Sequence, residues 1–166
     1  MDKKIIISSN LNNVKKSVDK ILTLLKDLKA EDSDLFDVRL CLEESLINAI
    51  KYGNGLNEDL KVVIGVSHNN NKVTITVEDQ GPGFDYQALP DPTKEENLLK
   101  PRGRGVFLIK HLMSNVEFNR KGNKISMTNG TVALNLFQGL YFNNLGWLIT
   151  IFLKGSCPFR ERHFNG

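Results

Sequence analysis

The chain has 166 residues, of which 40% are hydrophobic and 25% are charged, as in an ordinary globular protein with one substantial core. Its 22 basic and 19 acidic residues leave a net charge of +3 and form no basic stripe of the nucleic-acid-binding kind. Two cysteines exclude a disulfide framework, and the apolar run at residues 5–7 is too short for a signal peptide. These features predict a cytoplasmic protein that makes no direct contact with nucleic acid.

The first third of the sequence predicts one strand and two helices. Residues 5–7 are isoleucines, typical of a short buried strand. The next helix can be capped by Asn10, Asn12 or Asn13. Its predicted apolar stripe is Val14, Val18, Ile21, Leu22, Leu25 and Leu28. A second helix is expected from Ser33 or Asp34 to Gly53, because glycine favours the end of a helix.

The rest of the chain alternates hairpins with one helix. The predicted elements are strands 60–67 and 72–78, a loop at 81–101, a helix at 105–114, and strands 116–120 and 124–128. Because hairpins join most strands, the sheet should be mixed and mostly antiparallel, with the helices on one face. The sequence therefore predicts an α+β fold, a two-layer α/β sandwich.

Two polar residues on the second helix form a first candidate site. Glu44 and Asn48 are four residues apart, so they lie on one face of the helix, about one turn from each other. Asn48 offers a neutral oxygen that suits Mg²⁺ bound to substrate phosphates, and Glu44 can act as a general base beside them. The alternative is that both residues belong to a solvated polar face.

A carboxylate followed by two glycines marks a second candidate site. Asp79 comes at the end of a predicted strand, and Gly81 and Gly83 follow it. An ionised carboxylate only accepts hydrogen bonds, so it suits the exocyclic amino group of adenine, and the glycines let the backbone approach a ligand. The alternative is an ordinary turn from strand to loop.

A second glycine pair lies directly before the helix predicted at 105–114. Gly103 and Gly105 flank Arg104, and Arg102 precedes them. The free N–H groups and the dipole at a helix N-terminus favour phosphate, and either Arg102 or Arg104 can contact the terminal phosphate as a bidentate donor. The alternative is a flexible lead-in to the helix.

The order of these three sites carries more weight than any one of them. A helix with Glu and Asn, a strand ending in Asp-x-Gly-x-Gly, a long loop and a Gly-x-Gly before a helix form a joint pattern. Three independent coincidences would be needed to produce it without a common function. The sequence therefore predicts ATP binding, with adenine at residues 79–83 and the phosphates at 103–105.

These motifs resemble those of the GHKL ATPase superfamily, which includes histidine kinases, gyrase and mismatch-repair ATPases. Residues 44–53 (ESLINAIKYG) are similar to its N box, and residues 79–84 (DQGPGF) and 103–109 (GRGVFLI) to its two glycine boxes. Residues 103–118 resemble one branch, the bacterial anti-sigma-factor serine/threonine-protein kinases. The resemblance implies a Bergerat-type ATP-binding fold over residues 1–129.

The resemblance also implies a role for each matching residue. Asp79 would read adenine, with Gly81 and Gly83 lining the base pocket. Asn48 would hold Mg²⁺, and Glu44 would be the base for a protein serine or threonine. The phosphates would be bound by Gly103 and Gly105, with Arg102 or Arg104 at the γ-phosphate, and Lys51 is either a further phosphate contact or a plain surface lysine.

The branch implies partners as well as an activity. Its members bind a sigma factor, phosphorylate an antagonist protein of the STAS fold, and often form homodimers. An alternative is a nucleotide-gated module that binds a sigma factor or other regulator without phosphotransfer. A sensor histidine kinase is disfavoured, because His68, His111 and His163 all lie outside the first two predicted helices.

Residues 130–166 depart from the branch and are predicted to be an atypical apolar extension. Residues 132–153 contain no charged side chain and are long enough for a membrane helix, which needs about 20 residues. Several asparagines, and a turn-like Asn143-Asn144 pair, favour instead a hairpin that extends the sheet or a segment that packs on a partner. An altered reading frame is a third interpretation.

Overall fold

The computed structural model of the chain describes residues 2–27, 32–69, 72–89 and 104–130, the side chains of 32–34 and 130 excepted. Its elements are β1 (Asp2–Ser8), α1 (Asn12–Asp27), α2 (Asp32–Ile47), a π-helical turn (Asn48–Gly53), β2 (Lys61–Asn69), β3 (Lys72–Glu78), α3 (Arg104–Leu112), β4 (Asn115–Phe118) and β5 (Lys124–Gly130). The predicted extension beyond residue 130 and most of the predicted loop at 81–101 lie outside the described residues.

Helix α1 follows its predicted pattern closely. The Asn10 carboxamide oxygen accepts a hydrogen bond from the Asn12 N–H at 2.9 Å, which caps the first turn. The predicted stripe follows the helical period up to Leu25, and its members are all buried: Val14, Val18, Ile21, Leu22 and Leu25. The asparagine cap and the apolar stripe expected up to Leu25 are therefore confirmed.

The second helix differs from its prediction at its C-terminal end. The sequence predicts one continuous helix to Gly53, but the last turn, Asn48–Gly53, is π-helical. Its wider hydrogen-bonding pattern is visible where the Asn54 N–H donates to the Ala49 carbonyl at 2.8 Å, five residues back. Asn48 therefore lies where the α-helix changes to the wider turn.

The five strands form one sheet in the order β1-β2-β3-β5-β4. All four neighbouring pairs in the described sheet are antiparallel, so the predicted antiparallel character is confirmed and the mixed character is not seen among these strands. Strand β5 lies between β3 and β4, and Glu78 at the end of β3 pairs with Lys124 at the start of β5. This register sets the turn after β3 beside the turn that precedes β5.

One face of the sheet packs against the helices, as the predicted two-layer α+β sandwich requires. Ile64, Ile75 and Met127 from the sheet share a continuous buried cluster with Ile21, Leu42 and Ile109 from α1, α2 and α3. Full burial of an aliphatic side chain of this size contributes about 1.5–3 kcal/mol. The helices are thus held at fixed positions over the sheet. Within the described ranges, none of the helices combines the length and the apolarity needed to span a bilayer.

Candidate functional site

Helices α2 and α3 meet at the two polar residues predicted as a site. Glu44 and Asn48 lie about one turn apart, and Gly105 packs directly against both. A Cβ atom at Gly105 would overlap the Glu44 Oε2 atom and lie 3.5 Å from the Asn48 Nδ2 atom. A side chain at position 105 would displace the Glu44 carboxyl, so glycine preserves this contact. The structure thus brings together one residue of the second glycine pair and both residues of the first cluster.

The environment of Glu44 favours proton transfer. Burial raises the pKa of its carboxyl above the ordinary value, and the negative charge of the neighbouring Glu43 raises it further. A carboxylate with a raised pKa accepts a proton more readily near neutral pH than an exposed glutamate does. The residue has the electrostatic character of a general base.

Asp79 lies directly after the C-terminal end of the central strand β3 and is half-buried. Its Oδ1 atom accepts a hydrogen bond from the Gly81 N–H at 2.8 Å. Burial raises the pKa of the carboxyl, although that hydrogen bond and the positive charge of Lys121 partly offset the effect. The turn therefore holds a partly desolvated carboxylate, and a hydrogen bond from a ligand to such a group is stronger than one in water.

The end of the π-helical turn lies against the Asp79 turn with no side chain between them. A Cβ atom at Gly53 would overlap the Asp79 carboxyl group, and a Cβ atom at Gly81 would overlap the Gly53 carbonyl oxygen. Gly53 was expected only to end the helix. Its contact with Asp79 was missed, because the glycine alone carries no signal of which distant residue it approaches.

The glycine turn also packs on the turn between β4 and β5. Gly83 and Gly122 have φ values of +79° and +76°, which strain any other residue. A Cβ atom at Gly83 would overlap the Lys121 carbonyl oxygen, and one at Gly122 would overlap that of Phe84. The Phe84 ring contacts the Phe118 ring edge to face, with centroids 5.7 Å apart. The backbone of Gly83 is thereby fixed, and its place beside a base stays a prediction.

The basic candidates are described only in part. Arg104 begins α3, whereas Arg102 and Gly103 lie outside the described residues. The Lys51 side chain is exposed on the π-helical turn, and its ammonium nitrogen lies 5.2 Å from the centroid of the Tyr52 ring. This contact leaves open both predicted roles of Lys51, phosphate contact and surface lysine.

The donor set fits a Mg²⁺ ion that takes most of its ligands from phosphate and water. No group of three or more His, Cys, Asp and Glu side chains that could hold a metal occurs in the part of the chain that the structure describes. The Asn48 carboxamide and the Glu44 carboxyl both lie at the surface of Gly105, with the Asn48 Nδ2 atom 3.5 Å from the place of a Cβ atom there. One neutral carboxamide beside one carboxyl group is compatible with the coordination that Mg²⁺ has in phosphate complexes, where phosphate and water supply most ligands.

Comparison with known proteins extends the motif resemblance. Residues 7–129 match the profile of the histidine kinase-like ATPase domain. The serine-protein kinases RsbW of Staphylococcus aureus strains JH9 and Newman are each 31% identical over 103 residues, which is 57% of this chain and 65% of theirs. The chain thus matches less than two thirds of the length of these relatives.

A solved structure shares the fold. The crystal structure of the RsbU and RsbW domains of a Mycobacterium tuberculosis protein superimposes with a TM-score of 0.58 and 15% sequence identity. The match covers 78% of this chain and 32% of that one. At this identity the likeness is one of architecture, and it agrees with the antiparallel sheet and helices described above.

Proposed function

Because the chain belongs to the histidine kinase-like ATPase domain family, as its motifs predicted, we propose that residues 1–129 bind ATP and Mg²⁺ and transfer phosphate to a protein. The observation that supports this most is the convergence of two glycine contacts. Gly105 packs against Glu44 and Asn48, and Gly53 packs against Asp79. A nucleotide lying along these contacts would have its base at Asp79 and its phosphates at the start of α3.

At the base end, the Asp79 carboxylate accepts a hydrogen from the exocyclic amino group of adenine. The backbone at Gly81 and Gly83 lines the base, since neither residue has a side chain to block it. Guanine presents a carbonyl oxygen at the position of that amino group, and two acceptors cannot share a hydrogen bond. The same carboxylate therefore selects ATP over GTP.

At the phosphate end, backbone N–H groups and basic side chains bind the triphosphate. The contacts we propose are the N–H groups of Gly103 and Gly105, Arg102 or Arg104, and Lys51. Asn48 would hold Mg²⁺, which when bound neutralises phosphate charge. The side-chain oxygen of Asn48 fixes this end of the nucleotide beside Glu44.

Glu44 acts on the acceptor. It takes the proton from a serine or threonine hydroxyl as that oxygen forms a bond to the γ-phosphorus. The bond between the γ-phosphorus and the β–γ bridging oxygen breaks, and ADP leaves with the electron pair. The raised pKa of Glu44 supports this role, because a more basic carboxylate removes a proton more effectively.

The acceptor and the partner follow from the branch that the motifs resemble. We propose a STAS-fold antagonist as the protein substrate and a sigma factor as the protein that the chain sequesters, with the chain acting in the cytoplasm as a homodimer. Residues 130–166 are assigned to a C-terminal extension outside the ATP-binding domain. The alternative, a nucleotide-gated binding module without phosphotransfer, uses the same site and differs only at Glu44.

ATP binding is tested by calorimetric titration of the full chain with ATP and Mg²⁺. Replacing Asp79 by asparagine should weaken ATP binding about tenfold, since the acceptor oxygen is kept but its negative charge is lost, which weakens the hydrogen bond to adenine. The control is Asp85→Asn in the same loop, where the carboxylate accepts hydrogen bonds from the backbone N–H groups of Gln87 and Ala88. Absence of ATP binding by the unaltered chain would refute the proposed function.

The protein partners are tested by capture on the purified chain from cells of its source, with and without ATP. Proteins retained under each condition are identified by mass spectrometry and then incubated with the chain and γ-labelled ATP. We expect a sigma factor and a STAS-fold protein among them, with label on a serine or threonine of the latter. Label on no captured protein, despite ATP binding, would favour the binding module.

Gly105→Ala should separate phosphotransfer from nucleotide binding. The added methyl group would meet the Glu44 carboxyl, which is the far end of a flexible side chain and can move aside. We expect phosphotransfer to fall about tenfold because the base is displaced, with a smaller change in ATP affinity. Single-turnover transfer and equilibrium binding, measured on the same preparation, check this, and unchanged transfer would contradict the contact as the reason for the glycine.

A further inference from the structure

The peptide group that joins Asp79 to Gln80 is held at both ends by side-chain amides. The Asn123 Nδ2 atom donates a hydrogen bond to the Asp79 carbonyl oxygen at 2.6 Å. On the other side of the same peptide group, the Gln80 N–H donates to the Asn54 Oδ1 atom at 2.8 Å. The Asp79 N–H also donates to the Asn123 carbonyl oxygen at 2.9 Å. The backbone that carries the Asp79 carboxylate is therefore fixed from two directions.

Asn54 is itself anchored in the fold. It lies just after the π-helical turn and is only 4% exposed. Its Nδ2 atom donates to the Ser9 hydroxyl at 2.8 Å, just after β1, and to the Lys61 carbonyl at 3.1 Å, at the start of β2. Because both amide hydrogens and the oxygen are engaged, the side chain cannot rotate without losing several buried hydrogen bonds.

Asn123 is anchored on the opposite side, in the turn before β5. It is 8% exposed, and its Oδ1 atom accepts a hydrogen bond from the Asn119 Nδ2 atom at 2.8 Å. The Asn119 Oδ1 atom in turn accepts from the Asn123 N–H at 3.1 Å. The two asparagines of this turn thus orient one another and aim the Asn123 donor at Asp79.

The chemistry of each contact requires a particular end of the amide. The Gln80 N–H can only donate, so residue 54 must supply an acceptor, and the Asp79 carbonyl can only accept, so residue 123 must supply a donor. A rotation of the peptide group would break both hydrogen bonds and leave buried polar atoms without partners, which is costly. Such a rotation would also turn the Asp79 carboxylate away from its position against Gly53.

We propose that Asn54 and Asn123 are positioning residues that lock the Asp79–Gln80 peptide group and thereby set the preference for adenine. This inference rests on the proposed function, since it assumes that Asp79 binds the base. Neither asparagine touches the nucleotide. Replacing either residue should change the contact with the base, and therefore the preference for ATP over GTP. A general loss of folding would instead lower the affinities for both nucleotides.

The test compares the affinities of the full chain for ATP and for GTP. Asn54→Ala and Asn123→Ala should each lower the affinity for ATP about tenfold and leave the weaker GTP binding unchanged. A partly unfolded sample lowers both affinities by the same factor, so the ratio of the two reports the site alone. The control is Asn129→Ala. This asparagine is also buried, but it lies in β5 opposite Val73, at the end of the strand pair that is remote from Asp79.

Aspartate variants supply a sharper comparison, because aspartate keeps the acceptor and loses the donor. Asn54→Asp keeps the acceptor for the Gln80 N–H but loses the donors to Ser9 and Lys61, so it should retain more of the preference for ATP than Asn54→Ala does. Asn123→Asp loses the donor to the Asp79 carbonyl and should lose the preference as fully as Asn123→Ala does. If an alanine variant fails to fold, the same ratio of affinities can be measured on the aspartate variants. An unchanged ratio in both alanine variants, or in Asn123→Asp, would overturn the positioning role. A wild-type chain that shows no preference for ATP would instead refute the proposed function itself.

Discussion

Glu44→Gln should lower the rate of phosphotransfer about 10²- to 10⁴-fold while the affinity for ATP stays within about threefold. Glutamine has nearly the same shape as glutamate and can keep the packing against Gly105, but it cannot accept a proton. Transfer of γ-labelled phosphate in a single turnover, with ATP binding measured in parallel, checks both parts. Full activity in this variant would remove Glu44 from the mechanism. Loss of transfer together with ATP binding would assign it a binding role.

The same variant distinguishes the kinase from the binding module. The kinase loses phosphotransfer and keeps its partner, whereas a module without catalysis shows no functional change when Glu44 is replaced. Both alternatives therefore predict that the Glu44→Gln variant still retains the sigma factor in a pull-down. Only the labelling measurement separates them.

The rate of transfer should also depend on pH through Glu44. Burial and the Glu43 charge raise the pKa of Glu44, so the rate should increase as pH rises through that raised pKa and then level off. Glu43→Gln is a matched control on the adjacent position. Removing its charge should move the rise in rate to lower pH without lowering the plateau. A profile that is the same for the wild type and for Glu43→Gln would contradict the electrostatic origin of the shift.

Stability should respond to pH in the opposite sense. Because the folded-state pKa of Glu44 lies above the unfolded-state value, the folded state binds this proton more tightly. The stabilisation that results is complete below the unfolded-state pKa and is lost as pH rises through the folded-state pKa. Glu44→Gln should therefore be more stable relative to the wild type at neutral pH than at acidic pH, as urea unfolding at both pH values will show.

Gly81→Ala should lower the affinity for ATP about 100-fold, the largest expected effect on binding. A Cβ atom at this position would overlap the Gly53 carbonyl oxygen, which belongs to the backbone and cannot swing aside as the end of a side chain can. The turn must therefore move, and Asp79 moves with it. Titration with ATP measures the loss.

Gly55→Ala is the matched control for that substitution. Gly55 has a φ of +60° and nothing within 4 Å of the place where its Cβ atom would lie. Alanine there should cost about 1 kcal/mol of stability through backbone strain and leave ATP affinity unchanged. Equal losses of affinity in Gly81→Ala and Gly55→Ala would show that general destabilisation, and not the contact with Gly53, is the cause.

The sequence predicted the features that depend on short-range patterns. The stripe from Val14 to Leu25 has a helical period, and β2 alternates buried with half-buried residues, so both were found from spacing. Glu44 and Asn48 were found because four residues separate them, and the meeting of this pair with Gly105 was expected from the order of the motifs. The π-helical turn was missed, because a change from four- to five-residue hydrogen bonding leaves no mark in the hydrophobic period.

The contacts that complete the candidate site were missed for a different reason. Asn54 and Asn123 lie in segments rich in glycine and asparagine, where an asparagine is expected simply as a turn residue. What sets them apart is a partner far along the chain, since 26 residues separate Asn54 from Gln80 and 44 separate Asn123 from Asp79. Side chains of this kind are recognised only when the topology has brought the two turns together.

The position of β5 inside the sheet has a consequence for synthesis of the protein. This strand comes after every other described element, yet β3 and β4 both depend on it for their hydrogen bonds. A nascent chain halted before Lys124 would leave β3 as an edge strand without its partner β5, a surface prone to pairing with other chains. Nucleotide added during translation should accordingly begin to protect the chain from proteolysis only once β5 has left the ribosome.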